Sequence, residues 1–279
     1  MKKERLDVLL VNRGLYESRA KAQAAVMSGQ ILVNDKKIDK PGTPTAQDAS
    51  IRILGLKLPY VSRGGLKLEK ALHVFSIRLE GKVVADIGAS TGGFTDCALQ
   101  NGAAMVYAVD VGYGQLAWKL RNDPRVVNLE RTNARYLTED SMPKKADVVT
   151  IDVAFISLEK ILPAVRRILT PDGIVIALIK PQFEAGKVNI GKKGVVRSAA
   201  VHEGVVQRVI DFAGAIGFGS LGLDFSPVRG PEGNIEYLLY LTAASTDTIA
   251  SDQIKQVVSA SHKILDKYDV NKDRDCDAN

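Results

Sequence analysis

The sequence has little cysteine, histidine or tryptophan. Its two cysteines, Cys97 and Cys276, lie far apart in a chain of 279 residues. That excludes a disulfide scaffold and fits a reducing cytoplasm. Three histidines without cysteine/histidine spacing argue against a structural zinc. The longest apolar run, near Ile174–Ile179, falls far short of the roughly 20 residues that span a bilayer. No secretory leader is expected either. Met1-Lys2-Lys3-Glu4-Arg5 begins basic but passes straight into an amphipathic stretch, without an apolar core or a small-residue cleavage site. No internal repeat is visible. What remains is an ordinary globular balance, 46% hydrophobic and 25% charged, long enough for one large core plus a small module.

The positive charge is uneven. Net charge is +6, and residues 1–60 hold eleven Lys/Arg against six Asp/Glu. A basic module on a near-neutral remainder suggests a polyanionic partner, although charge alone fits a solvated face equally well. Leu6, Leu9 and Leu10 share one face of a helix expected over 4–12, stopped by Gly14. Ser18 reads as an N-cap for a helix over Arg19–Met27, with Ala20, Ala24 and Val26 inward and Gly29 as its stop. Ile31–Asn34 reads as a strand, Asn34-Asp35 and Lys40-Pro41-Gly42 as turns, and Ile51–Leu54 as the strand closing a small sheet. Arg5-Leu6-Asp7, Arg13-Gly14, Ser18-Arg19, Lys21-Ala22, Gly29, Val33-Asn34 and Lys40-Pro41-Gly42 together resemble an S4-type RNA-binding domain over about residues 3–57. The resemblance implies a basic face binding structured RNA, with Arg5, Arg13, Arg19, Lys21, Lys36, Lys37 and, beyond the module, Arg63 as the candidates. Phosphate contacts of this kind position RNA rather than read bases.

The rest of the chain is organised around residues 83–99. Val83–Ile87 is a short apolar run read as a buried strand. Gly88, Gly92 and Gly93 follow, then a helix-like stretch. Strand, glycine turn and helix form the architecture of a nucleotide pocket. Ser90 stands where a dinucleotide fingerprint needs its second glycine, and no Gly-Lys-Ser/Thr follows. Asp86-x-Gly88-x-x-x-Gly92 instead resembles motif I of S-adenosylmethionine-dependent methyltransferases. Asp110 ends the next apolar run, placed to hold ribose hydroxyls. Cofactor-binding candidates are Asp86, Gly88, Ala89, Ser90, Gly92, Gly93, Phe94, Asp110 and, for the adenine, Asn133.

Strands are expected near 83–87, 105–110, 125–129, 147–152, 173–180, 220–226 and 235–243, and helices near 93–101, 114–121, 157–169 and 199–216. Repeated βα units imply an α/β, doubly wound, Rossmann-like sheet. It is mostly parallel. The short Pro227/Gly230/Pro231/Gly233 loop makes the last strand antiparallel. Expected boundaries are a small N-terminal α+β RNA-binding domain over 1–58, a linker over 59–65, the α/β domain over 66–245, and a C-terminal helix and polar tail over 246–279. Residues 184–198 read as a mobile basic loop, and the tail from about Tyr268 as disordered. Cys97, Tyr113 and Trp118 read as packing residues, and the histidines as structural or exposed.

Ligands of open α/β sheets bind at the carboxyl ends of the strands. Asp152 and Lys180 end two apolar runs, Glu236 begins the antiparallel strand, and Lys67 lies in the first turn of a helix before the sheet. These four charges are expected to converge beside the glycine turn. Their order resembles the Lys-Asp-Lys-Glu tetrad of FtsJ-like ribose 2′-O-methyltransferases. Ser62-Arg63-Gly64-Gly65-Leu66-Lys67-Leu68, Asp152-Val153-Ala154-Phe155-Ile156-Ser157 and Lys180-Pro181-Gln182-Phe183-Glu184 extend the resemblance. With the N-terminal module, the chain resembles the TlyA family over about residues 3–243. That resemblance implies cytidine 2′-O-methylation of 16S or 23S rRNA, an S-adenosylmethionine cofactor, no metal, ribosomal partners, no membrane and a monomer or weak dimer in the cytoplasm. A lysine near its ordinary pKa of about 10.4 is a poor base at neutral pH. Desolvation at the end of an apolar strand would lower it, which favours Lys180 as the base over Lys67 on a more exposed helix. A non-catalytic ribosome-assembly factor and a membrane-active hemolysin are the rival readings.

Overall fold

The computed structural model describes residues 3–16, 18–54, 59–191 and 194–273. Cys276 and Leu58, the expected last residue of the first domain, lie outside them. The chain divides into one compact unit ending at Lys57 and a larger one running from Leu58 to Cys276.

In the smaller unit, β1 (Lys3–Arg5) pairs antiparallel with β4 (Pro44–Ala46). Helices α1 (Leu6–Asn12) and α2 (Arg19–Met27) pack on a three-stranded sheet of order β3-β2-β5. Its strands are β2 (Ile31–Val33), β3 (Lys36–Ile38) and β5 (Ile51–Ile53). Asn34 and Asp35 both take positive φ, 48° and 60°, the conformation a two-residue β2–β3 hairpin requires. Ser18 caps α2 by accepting the Lys21 N–H at 3.3 Å. Leu6, Leu10, Ala22, Val26 and Ile31 form the core. Two expectations change here. The first helix begins at Leu6, because residues 3–5 are held in a ladder with β4. The inward alanines of α2 are Ala22 and Ala25, while Ala20 and Ala24 face solvent.

The larger unit is built on a seven-stranded sheet of order β11-β12-β10-β9-β6-β7-β8. The strands are β6 (Val83–Ile87), β7 (Met105–Val109), β8 (Val126–Leu129), β9 (Ala146–Ile151), β10 (Leu169–Ile179), β11 (Gly219–Phe225) and β12 (Tyr237–Thr242). β12 runs antiparallel to both its neighbours, and the rest of the sheet is parallel. One face carries α3 (Gly64–Val74) and α4 (Gly93–Gln100), which pack Leu68, Ala71, Phe94 and Ala98 against Val84, Val106, Val148 and Ile176. The other face carries α6 (Leu162–Ile168), α8 (Ala199–Ala215) and α9 (Ser251–Asp273), over Ala85, Val149, Ala177 and Leu239. This face alternation is the period-2 pattern of strands covered on both sides.

Three connections differ from expectation. The helix expected at 114–121 is only the four-residue α5 (Trp118–Arg121). The one expected at 157–169 is a short 3₁₀ turn, Leu158–Lys160, followed by α6. Of residues 184–198, Glu184 closes α7 (Pro181–Glu184) and Val195 and Val196 are buried. Asn234 ties this loop down by accepting the Val196 N–H at 3.0 Å and donating to the Gly194 carbonyl at 3.0 Å. The expected linker at 59–65 is packed into the larger unit. Tyr60 is buried and donates to Glu69 at 2.8 Å, Val61 N–H donates to Asp96 at 2.8 Å, and α3 already begins at Gly64. At the far end, α9 continues through 268–273, where disorder was expected.

Candidate active site

The strand order reverses between β6 and β9, and a cavity of about 750 Å³ opens at their carboxyl ends. Its floor is the glycine turn. Gly88 has φ +85°, and a Cβ there would sit 2.6 Å from the Asp152 carbonyl oxygen. The turn therefore packs this closely against the end of β9 only because position 88 has no side chain. At Gly93 a Cβ would strike Ser62 Oγ and lie 2.8 Å from Gly65 N, so the N-termini of α3 and α4 touch beside the cavity. Asp110, at the end of β7, pins the turn. Its carboxylate accepts the Ser90 N–H at 2.8 Å and the Gly112 N–H at 2.7 Å.

Gly88, Ala89, Ser90, Gly93, Phe94, Asp110 and Asn133 line the cavity. Asn133 also caps a 3₁₀ turn, accepting the Arg135 N–H at 3.2 Å. Two cofactor candidates do not line it. Gly92 sits at the N-cap of α4, where a Cβ would strike Leu120 Cδ1. Asp86 turns into the core and accepts the hydroxyls of Thr95 at 2.7 Å and Thr150 at 3.0 Å. It ties β6 to α4 and β9 from beneath the turn. Burial pushes its pKa up to about 6, against the lowering effect of the two hydroxyls.

Register brings the four expected charges together. Ile179 pairs with Tyr237, so Lys180 and Glu236 flank one rung. Ile151 pairs with both Ile87 and Ala177, so Asp152 emerges between the glycine turn and Lys180. Lys67 reaches the same edge from α3. The result is a continuous chain of ion pairs. Glu236 Oε2 lies 2.7 Å from Lys67 Nζ, Lys67 Nζ lies 3.3 Å from Asp152 Oδ2, and Asp152 Oδ1 lies 2.6 Å from Lys180 Nζ. Glu236 is 1% exposed and Lys67 8%. Lys67 is thus buried rather than exposed, and its side chain is as covered as that of Lys180 (11% against 12%). Burial alone would lower the Lys67 pKa, but the Asp152 and Glu236 carboxylates outweigh it and raise the value. For Asp152, burial would raise the pKa, and the two lysines hold it below the usual carboxylate range. Lys67 is therefore a fixed cation clamped by two carboxylates, whereas Lys180 has one carboxylate partner.

Some residues at the rim carried no expectation. Phe155 lines the cavity with its ring 90% exposed and 4.9 Å from that of Phe183, on a backbone φ of +63°. Positive φ is rare for a bulky residue and costs about 1–3 kcal/mol. Arg229 lines the cavity beside the loop that leads into Glu236, and its guanidinium donates to the Gly233 carbonyl at 2.8 Å. Spacing gives no signal for either. Tyr113 and Trp118 are exposed, with the Arg131 guanidinium 4.2 Å over the Tyr113 ring. Cys97 is buried, and burial pushes its pKa up to about 12, so it is an inert packing thiol.

The RNA candidates fall into different settings. Arg63 lines the cavity. In the smaller unit Lys21, Lys36 and Lys37 are exposed, and Arg5 and Arg19 converge on Asp7. Arg13 instead braces the backbone, donating to the carbonyls of Ala49 at 2.7 Å and Gln47. Among the described residues no group of His, Cys, Asp and Glu could hold a metal ion, and no helix is long and apolar enough to cross a membrane.

Comparison with known proteins places the family and the fold. The FtsJ-like methyltransferase model matches residues 60–243, and the S4 domain model matches residues 4–45. An rRNA-methyltransferase candidate of Bacillus subtilis is 53% identical over 269 residues, 95% of this chain and 96% of the relative. The 16S/23S rRNA (cytidine-2′-O)-methyltransferase TlyA of Mycobacterium tuberculosis is 41% identical over 258 residues, 92% of this chain and 96% of the relative. A solved structure from Streptococcus thermophilus, described as a candidate hemolysin, has a TM-score of 0.76 at 48% identity and covers 97% of this chain and 99% of its own.

Proposed function

The chain belongs to the FtsJ-like methyltransferase family and carries an S4 domain, and from that premise we propose that it methylates a ribose 2′-hydroxyl of ribosomal RNA in the cytoplasm, with cytidine as the target nucleoside. The observation that carries this reading is the Glu236–Lys67–Asp152–Lys180 ion-pair chain at the sheet edge.

The cofactor is S-adenosylmethionine, and the residues present fit it. The cavity lies within the roughly 300–1,000 Å³ of small-molecule sites. Its floor is a turn that a Cβ at residue 88 would fill. Gly88, Ala89, Ser90, Gly93 and Phe94 would hold it, with Asp110 for the ribose and Asn133 for the adenine. When bound, it supplies a methyl group already activated by its sulfonium. The chain's own residues then have two tasks, alignment and proton removal.

Lys67 cannot readily give up its proton between two carboxylates. It fixes the positions of Asp152 and Glu236 and offers N–H donors to the ribose. Lys180 accepts the proton of the 2′-hydroxyl as the oxygen attacks, and Asp152 orients its amine. Phe155 presents a ring face on which the target base can stack. The basic face of the S4 domain holds the surrounding RNA through its phosphates.

Single-turnover transfer from labelled cofactor to purified ribosomal subunits tests the reading, followed by nucleoside analysis of the product. The expected product is 2′-O-methylcytidine. Lys180→Arg should lose about 10²–10⁴-fold in rate, since a guanidinium stays protonated, while cofactor binding is retained. A methyl group on the base, or full activity in Lys180→Arg at neutral pH, refutes it.

A further inference from the structure

The S4 domain contains a buried carboxylate that the reaction does not use. Asp7 lies in the first turn of α1 and is 0% exposed. Arg5 donates to it from Nε and Nη2, both at 3.0 Å. Arg19 donates from Nε at 2.9 Å and Gln23 from Nε2 at 2.7 Å. The Val8 N–H adds a fifth contact at 3.1 Å. The bonds from Arg5 lower the Asp7 pKa far below the usual range, and those from Gln23 and Arg19 lower it further. Asp7 is thus held as an anion near neutral pH.

The two arginines stand differently. Their side chains remain 50% and 54% exposed. Arg5 uses its Nε/Nη2 edge on Asp7 and Arg19 its Nε, so among the described residues Arg5 Nη1 and both Nη groups of Arg19 are left for another acceptor. Position 42 is part of the same arrangement. A Cβ on Gly42 would lie 2.9 Å from Arg5 Nη1, so a side chain there would make the guanidinium shift from its place on Asp7. One buried anion therefore gathers two cations from β1 and α2 and fixes them side by side on the surface.

We propose that Asp7 is a positioning residue for RNA, holding Arg5 and Arg19 as a rigid pair for the phosphate backbone. The inference rests on the RNA reading above and makes a prediction opposite in sign to simple electrostatics. Removing a negative charge from an RNA-binding face strengthens attraction to phosphates if charge is all that matters. If Asp7 positions the pair, Asp7→Asn weakens binding, because two long side chains must be ordered anew on contact. With two side chains immobilised on contact, the loss is about fivefold to 150-fold.

The test is filter binding of the full chain to purified ribosomal subunits from about 50 to 200 mM salt, the range over which phosphate contacts reveal themselves. Asp7→Asn should bind at least about fivefold more weakly, with a shallower salt dependence. Asp35→Asn makes the same charge change at an exposed pair with Arg52 and should bind as well as or better than the wild type. Gly42→Ala keeps every charge, crowds Arg5 Nη1, and should also weaken binding. It decides the matter if Asp7→Asn fails to fold. Equal or tighter binding by Asp7→Asn, or by Gly42→Ala where the first variant does not fold, overturns the inference. Absence of salt-dependent binding by the wild type overturns the RNA reading itself, and this inference with it.

Discussion

Replacing Lys67 by Met leaves Glu236 buried without its paired cation. Glu236 is 1% exposed, and Lys67 lies 2.7 Å away. Breaking a buried pair from one side costs about 3–5 kcal/mol, a large part of the 5–15 kcal/mol that holds a domain folded. Removing the second charge as well should restore much of the loss. Lys67→Met/Glu236→Gln should be about 2 kcal/mol more stable than Lys67→Met, within the 0.5–3 kcal/mol coupling of partners in contact. Methyl transfer should behave otherwise and stay at background in both variants, since the clamped cation is gone from each. The pH dependence has a definite sign. In Lys67→Met the stranded carboxyl prefers its neutral form, so its folded pKa rises above the unfolded value. Its contribution is then complete at low pH and lost as pH rises through the folded value. The stability deficit of Lys67→Met should shrink between about pH 8 and pH 5, and that of the double variant should not. Urea midpoints at constant m report stability, alongside single-turnover methylation. A double variant no more stable than Lys67→Met at the upper pH refutes the pairing, and a double variant with restored activity refutes the role of Lys67.

Asp86 offers a prediction of opposite character. Its folded pKa, raised to about 6 from 3.8, means a contribution present below about pH 4 and lost as pH rises through 6. Asp86→Asn should therefore match the wild type near pH 4 and exceed it by about 3 kcal/mol near pH 8, at 1.36 kcal/mol per pKa unit. A constant difference across that range, measured by urea unfolding, would show that the carboxyl is not held near neutrality. Gly88→Ala places a Cβ 2.6 Å from the Asp152 carbonyl at a φ of +85°. Calorimetry should show cofactor binding lost, together with a destabilisation of about 1–3 kcal/mol.

How far the sequence reaches depends on how local each cause is. The glycine turn was legible because positive φ at Gly88 and an apolar run ending at Ile87 are properties of a few neighbouring residues. The same holds for the Asn34-Asp35 hairpin and for the reversal into β12, set by a loop too short for a crossover. The alanines of α2 show the limit. Ala20, Ala22, Ala24 and Ala25 are chemically alike, so no hydrophobic contrast tells which pair faces the core, and packing chose Ala22 and Ala25. Three-residue strands such as β1 and β4 exist through their ladder to each other rather than through a pattern of their own.

For the site, the sequence alone determined which charged residues end or begin strands, and sheet physics places such ends at one edge. Only the tertiary structure decided what those charges do to one another. Lys67 stands 85 residues from Asp152 and 169 from Glu236, and its helix alone gives no reason for burial. The two carboxylates make the buried cation stable. Asp86 reads as a ligand contact by motif, yet the hydroxyls of Thr95 and Thr150 turn it inward. Arg13 reads as a surface cation and is exposed, but only the folded chain supplies the carbonyls of Ala49 and Gln47 to which it donates. In each case the partner is distant in sequence and the interaction is electrostatic or hydrogen-bonded. Such contacts leave no periodicity along the chain, because they depend on where the folded backbone puts a lone pair or a charge.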